Sequence, residues 1–443
     1  MSNYLMMKNI LLFGAGKSAT VLIDYLLNNA AKEQRHLYVV DANYELAASK
    51  IGNSPHGTPL SFDIADADAR AGYVAKSSLV ISMLPAALHS LVATECLAQG
   101  KHLLTASYVD PGIRAHAEDI AAKDLIFLCE MGLDPGIDHM SAMQLISDIR
   151  NQGGTIHSFL SHCGGLVAPE SDDNPWHYKI SWNPRNIVLA GKAGAVYREN
   201  GQEAHTGYHD LFANRRQVPV AGQGNWGWYA NRDSLSYAPL YGLEDASTFI
   251  RTTLRHPDFM EGWEQIIGLG LTAETPVYTT DGRSLQELFQ HHLNEHGLSD
   301  TYQQLTADAQ SVVARQLAFL AFDTPLPLSR PQYSPADLLQ EVLETKLALQ
   351  PADKDMIIML HEIGYELSGE KKEVRSCLVV KGEDHLRTAM AKTVGLPLGI
   401  AAKLILNGTL TVRGLHIPVI KEIYEPVLKE LATLGVAFTE EHV

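Results

Sequence analysis

The segment Gly14-Ala15-Gly16-Lys17-Ser18-Ala19 follows directly on an apolar run, Asn9–Phe13, and precedes a stretch with helical spacing. A strand, a GxGxxA turn and a helix in that order form a cradle for a dinucleotide. Gly14 permits the tight turn, Gly16 lets the backbone approach a pyrophosphate, and Ala19 keeps the helix close to the sheet. Lys17 and Ser18 open the helix, whose N-terminus attracts negative charge. Asp41 closes the second apolar run, Tyr38-Val39-Val40-Asp41. A carboxylate there accepts from ribose hydroxyls and repels a 2′-phosphate, which selects NAD without excluding NADP. The same residue can instead cap the helix that follows. Asp63-Ile64 lie past the third run, on the adenine side, and Met83-Leu84 follow the fourth, at the sheet edge where cofactors sit.

Two further strings fall where strands end. Thr105-Ala106-Ser107-Tyr108 follows the fifth apolar run, and Glu130-Met131-Gly132-Leu133-Asp134-Pro135-Gly136-Ile137-Asp138-His139 follows the sixth. Ligands of open α/β sheets bind outside the carboxyl ends of the strands, so both loops should face a bound nicotinamide. By composition alone Asp134, before Pro-Gly, is equally a turn former. Downstream come Ser161-His162-Cys163, then Lys179-Ile180-Ser181-Trp182-Asn183-Pro184-Arg185, and Asn231-Arg232-Asp233. Arginines in weakly charged, aromatic surroundings suit bidentate recognition of carboxylates, although surface arginines are common. Other patterns fail on spacing. His361-Glu362 begins an HExxH-like string but Tyr365 stands where the second histidine must be. The i, i+4 histidine pairs 205/209 and 292/296 lack further ligands. The Tyr–Lys pair of short-chain dehydrogenases occurs only as Tyr4/Lys8, ahead of the first strand.

These residues need a scaffold, and the pattern supplies one. Six apolar runs (9–13, 37–40, 60–62, 79–82, 102–104, 125–128) alternate with helical segments near 17–29, 43–51, 66–76, 87–99 and 111–123. That alternation predicts a Rossmann-type, doubly wound parallel sheet over residues 1–140, with helices on both faces. Texture shifts toward Gly, Asn and Trp over 141–240, which together with a strand pair near 351–385 predicts an α+β domain. Residues 241–350 read as a helical domain, with amphipathic stretches near 245–255, 284–297, 301–320 and 335–348. A small-residue helix is expected over about 386–406.

The chain has 443 residues, of which 46% are hydrophobic and 19% charged, so neither disorder nor a fibrous architecture is expected. Fifty-one acidic against 35 basic residues give a net charge of −16, which argues against nucleic acid or an anionic membrane as the main partner. Four cysteines without a CxxC pair fit a reducing compartment, and no signal-like leader or long uninterrupted apolar run is seen. A cytoplasmic protein with no membrane span is the expectation.

Taken together, the strings resemble saccharopine reductase, the glutamate-forming saccharopine dehydrogenase family. The resemblance rests on residues 130–139, Phe159–Leu166, Asp173-Asn174-Pro175, Lys179–Trp182, Asn231–Ser234, Ile250–Arg255 and Thr393–Pro397, and so spans nearly the whole chain. It implies a three-domain homodimer in which the central domain binds substrate and dimerises. The late helix would return to the cofactor domain. It also implies reversible oxidation of saccharopine to 2-aminoadipate 6-semialdehyde and L-glutamate in lysine metabolism. Ser107, Tyr108, Asp134, Arg185 and Asn231-Arg232-Asp233 would contact saccharopine, which carries three carboxylates, and Leu133 would lie against the cofactor. Asp134 and Tyr108 are the expected groups near the reacting amine, with Cys163 and His162 behind them. Fungal NADP-using members tend to carry an arginine near the end of strand two, where this chain has Asp41. Two alternatives remain: a carboxynorspermidine or homospermidine synthase-like imine reductase, and a non-enzymatic Rossmann redox sensor.

Overall fold

The computed structural model describes residues 7–442; Tyr4 of the Tyr4/Lys8 pair lies outside them. The chain divides into two compact units, Met1–Gly154 with Leu386–Thr439, and Thr155–His385 with Glu440–Val443.

In the first unit, β1 (Lys8–Phe13), β2 (Arg35–Val40), β3 (Gly57–Leu60), β4 (Leu79–Ser82), β5 (His102–Thr105) and β6 (Ile126–Leu128) form a parallel sheet. A seventh strand, Gly414–His416, adds to β6, giving the order Gly414–His416, β6, β5, β4, β1, β2, β3. The order reverses direction between β1 and β4, which creates a crevice at their carboxyl ends. Ile10, Leu11, Leu12 and Phe13 are each at most 1% exposed. Complete burial of each such side chain contributes about 1.5–3 kcal/mol, so β1 anchors the sheet and fixes where the glycine turn begins. Helices Thr20–Glu33, Tyr44–Ile51, Ala67–Lys76 and His89–Gln99 match the expected segments, while 111–123 is two helices, Pro111–Ala115 and Ala117–Ala122.

Helix Ala389–Leu406 is long and apolar enough to cross a membrane, yet 83% of it is buried within the protein. It packs on helix Thr20–Glu33 through two glycines one turn apart. A Cβ on Gly395 would sit 2.8 Å from the Leu22 nitrogen, and one on Gly399 would sit 2.5 Å from the Tyr25 ring. Its apolar surface is therefore that of a core helix.

The second unit is a ten-stranded mixed sheet. Its main path runs Arg216–Val220, Gly224–Ala230, Thr248–Arg255, Thr155–Val167, Asp355–Leu367, Glu370–Lys381 and Thr439–His442. Helices Pro257–Gly268, Leu285–Glu295, Val312–Leu320 and Pro335–Lys346 share a single core with one face of it, built around Trp176, Trp263, Phe259, Phe289, Ile250 and Ile358. The expected helical segment lies in the same compact unit as the sheet. One local expectation is corrected. The stretch 245–255 contains a strand, Thr248–Arg255, between two neighbours, and burial on both faces removed the alternation that would have marked it. Residues Pro184–Val188 form a short helix capped by Asn183.

Candidate active site

The glycine turn sits at the switch point. Gly14 has φ +97°, and a Cβ there would lie 2.8 Å from the Met83 carbonyl oxygen at the end of β4. Only glycine combines that backbone with that approach. Gly16, by contrast, faces open space: a Cβ would meet nothing within 4 Å. The turn Lys17–Ala19 and the helix that continues it start without any side-chain cap. An open cradle beneath uncapped backbone N–H groups fits a dinucleotide pyrophosphate.

Asp41 joins the end of β2 to the glycine turn. Its Oδ2 accepts from Ala15 N at 2.8 Å and its Oδ1 from Asn43 N at 2.9 Å, while Asn43, not Asp41, caps helix Tyr44–Ile51. Sequence reasoning missed Lys50. Its ammonium donates to the Gly16 carbonyl at 2.5 Å and to Thr20 Oγ1 at 2.8 Å. Burial pushes its pKa down to about 8, against the attraction of Asp41 and Asp24. Asp63 is exposed and accepts from Ala65 N, Ile64 packs partly into the domain core, and Met83 and Leu84 are half-buried past β4.

The loops after β5 and β6 are joined to each other. Glu130, with φ +58°, donates its backbone N–H to Ser107 O at 3.0 Å and accepts from Val109 N through Oε1 at 3.3 Å. Its Oε2 lies 2.9 Å from His139 Nε2, and Asp138 Oδ2 lies 3.6 Å from the other ring nitrogen. All three residues are at most 3% exposed. This cluster clamps the half-buried Ser107 and Tyr108 to the loop carrying Leu133 and half-buried Asp134, whose peptide bond to Pro135 is cis. Its partners are nine residues apart and meet only because the loop folds back, so no spacing rule would have paired them.

The second unit holds the remaining expected residues. Cys163 is buried on strand Thr155–Val167, opposite Thr253 and Met359. Its neighbour His162 bonds Thr252 Oγ1 at 2.6 Å and Glu362 Oε2 at 3.0 Å. Burial alone would raise the Glu362 pKa, but the hydrogen bond from His162 and the charge of Arg375 hold it below its ordinary value. His162 is therefore bound into a structural charge network. Asn231 donates its backbone N–H to Arg251 O, and Arg232 (φ +52°) and exposed Asp233 pair beside Ala195 and Val196. The Arg185 guanidinium binds Glu274 at 2.9 Å and Asp337 at 3.0 Å. Those partners come from 89 and 152 residues away, which hid them from the sequence.

Known proteins agree with this architecture. Residues 10–128 match the saccharopine dehydrogenase NADP binding domain and residues 132–436 the saccharopine dehydrogenase C-terminal domain. The chain is 30% identical over 456 residues to the Schizosaccharomyces pombe protein named saccharopine dehydrogenase (NADP(+), L-glutamate-forming), covering 98% of this chain and 99% of that one. It is 32% identical over 454 residues to the Bos taurus mitochondrial alpha-aminoadipic semialdehyde synthase, spanning 98% of this chain but only 48% of that relative's length. The apo saccharopine dehydrogenase (L-Glu forming) structure from Saccharomyces cerevisiae superposes with a TM-score of 0.88 at 30% identity, covering 98% of this chain and 100% of that one. The NADP in these names stands against the NAD expected from Asp41, and what they share with the geometry is a nicotinamide cofactor. The chain belongs to the saccharopine dehydrogenase family.

Proposed function

We propose that the protein is an L-glutamate-forming saccharopine dehydrogenase, interconverting saccharopine with 2-aminoadipate 6-semialdehyde and glutamate. The observation that carries this is the pair of loops holding Ser107, Tyr108 and Asp134, locked together by Glu130 in the domain that bears the dinucleotide cradle. When bound, a nicotinamide supplies the hydride acceptor. The chain supplies placement and proton transfer. Uncapped N–H groups beyond Gly16 hold the pyrophosphate, and Asp41 the ribose. Asp134 and Tyr108 lie at the secondary amine, which must be neutral to lose hydride. Asp134 then activates the water that attacks the imine. Cys163, buried within its strand, has the poorer access of the named candidates. Arg185, paired with Glu274 and Asp337, and the string Asn231-Arg232-Asp233 are the candidates for recognising substrate carboxylates.

For the cofactor we read NAD. Asp41 places a carboxylate where a 2′-phosphate would need a cation, with one oxygen bracing the glycine turn at Ala15 N and the other accepting from Asn43 N. The NADP of the relatives' names weighs against this reading, and Lys50 is the cation by which a phosphate could be accommodated. The same reading makes the enzyme a homodimer of a reducing, cytosolic compartment, in keeping with four cysteines that form no disulfide among the described residues.

Ligand-induced stabilisation tests the substrate. With NAD bound, saccharopine at a hundred times its Kd should stabilise the protein by a further ~2.7 kcal/mol, read as a raised Tm. A polyamine that raises Tm where saccharopine does not would overturn the assignment in favour of polyamine chemistry.

A further inference from the structure

The carboxyl ends of β4 and β5 are bridged by one imidazole. His89, only 2% exposed, is the first residue of helix His89–Gln99. Its Nδ1 lies 2.8 Å from Ser82 Oγ, and its Nε2 lies 2.8 Å from Ser107 Oγ, with Thr105 Oγ1 more distant at 3.5 Å. Ser82 is fully buried, and among the described residues its hydroxyl has no hydrogen-bond partner but Nδ1.

Two buried hydroxyls reach the ring, and Ser82 at 2.8 Å, a full-strength contact where Thr105 at 3.5 Å is a marginal one, sets the tautomer. If Nδ1 carried the hydrogen, Ser82 would accept it and its own buried O–H would be left without an acceptor, which is costly. Ser82 therefore donates to Nδ1, and the ring hydrogen sits on Nε2. Nε2–H in turn donates to Ser107 Oγ. The Ser107 hydroxyl proton is then turned away from the protein and is available to an incoming acceptor. Burial lowers the pKa of His89 below its ordinary value, against the opposing charge of Asp110, so the ring is neutral and carries the single proton this arrangement needs.

We propose that His89, held in its Nε2–H form by Ser82, is a positioning residue that presets the Ser107 hydroxyl as a donor to a carboxylate oxygen of the substrate. The proposal rests on the reading that Ser107 contacts saccharopine. It explains why a polar chain runs into an otherwise apolar sheet edge, because a serine hydroxyl left to rotate would accept as readily as donate.

The test is a set of variants of the full-length enzyme. Gln at position 89 brings an amide near the place of Nε2, and Asn brings one near Nδ1, so the first keeps the Ser107 link and the second keeps the Ser82 link. Ser107→Ala and His89→Asn should each raise the KM for saccharopine about tenfold, the loss of one hydrogen bond to a charged acceptor. Turnover at saturation and cofactor Kd should stay within about twofold, and His89→Gln should recover most of the affinity. The double variant His89→Asn/Ser107→Ala should be no worse than Ser107→Ala, because both remove the same contact. Multiplying effects, an equal loss in His89→Gln, or a matching loss of cofactor affinity would overturn the proposal. A second readout needs no substrate. The ¹⁵N histidine resonances that vanish in His89→Gln should report a neutral ring protonated on Nε2, and an imidazolium or an Nδ1–H ring would overturn the relay. If wild-type enzyme turns over no saccharopine, the substrate reading fails by itself, and the tautomer decides the relay.

Discussion

Replacing Gly136 by alanine is expected to abolish saccharopine turnover, with kcat/KM falling by more than about a thousandfold, the scale of losing a positioned catalytic group. Gly136 has φ +147°, a conformation closed to residues with a side chain. A Cβ there would lie 2.1 Å from the Gly132 carbonyl oxygen and 2.4 Å from that residue's nitrogen and carbonyl carbon. These are backbone atoms, so no rotamer relieves the contact. They are also the atoms that close the loop: Gly132 N donates to Pro135 O at 3.0 Å, and Ile137 N donates to Gly132 O at 2.9 Å. Gly136 N donates to Asp138 Oδ1 at 2.6 Å, in the side chain beside the Glu130–His139 pair. Opening the loop displaces Asp134, loosens the start of helix Ile137–Asn151 and unclamps Ser107 from Glu130. Steady-state kinetics with a thermal melt checks this. Near-normal kcat/KM in a folded Gly136→Ala protein would show that the loop geometry is irrelevant to the chemistry.

Asp134→Asn is the second large effect, and it separates charge from shape. Asparagine is nearly isosteric, so the loop should persist and Tm should change little. Turnover should fall by at least about tenfold, toward the 10²–10⁴ typical of a lost general base. The acid limb of the kcat/KM profile against pH should flatten if Asp134 takes the proton. Wild-type turnover in this variant would remove Asp134 from the proton path and leave Tyr108 as the group at the amine.

Much of the cofactor half was legible in the residues. The GxGxxA turn carries its own mechanism, and β1 and β4 are short apolar runs bounded by turn formers, so position and type could both be read. The failures share a cause: partners supplied from elsewhere in the chain. Gly414–His416 is three residues long and exists as a strand only because β6 offers it an edge. Thr248–Arg255 lost its alternation because both faces are covered, and so read as part of a helical stretch. Leu60–Phe62 was expected as the third strand and Gly57–Leu60 forms it, since the pairing with β2 sets the register rather than hydrophobicity. At the site the pattern repeats. Asp134, Ser107 and Tyr108 announced themselves by lying past strand ends. Arg185 pairs with Glu274 and Asp337, and His89, Lys50 and Glu130 make contacts, that no local spacing encodes.

Oxidation of saccharopine with a nicotinamide cofactor is read from absorbance at the reduced-nicotinamide band. Saccharopine should be supplied with NAD and with NADP in parallel, with binding of each cofactor shown independently. Saccharopine-dependent reduction is expected, faster with NAD because of Asp41. A preference for NADP would keep the reaction and overturn the reading of Asp41. No reduction of either cofactor, with both shown to bind, would show that the chain does not oxidise saccharopine.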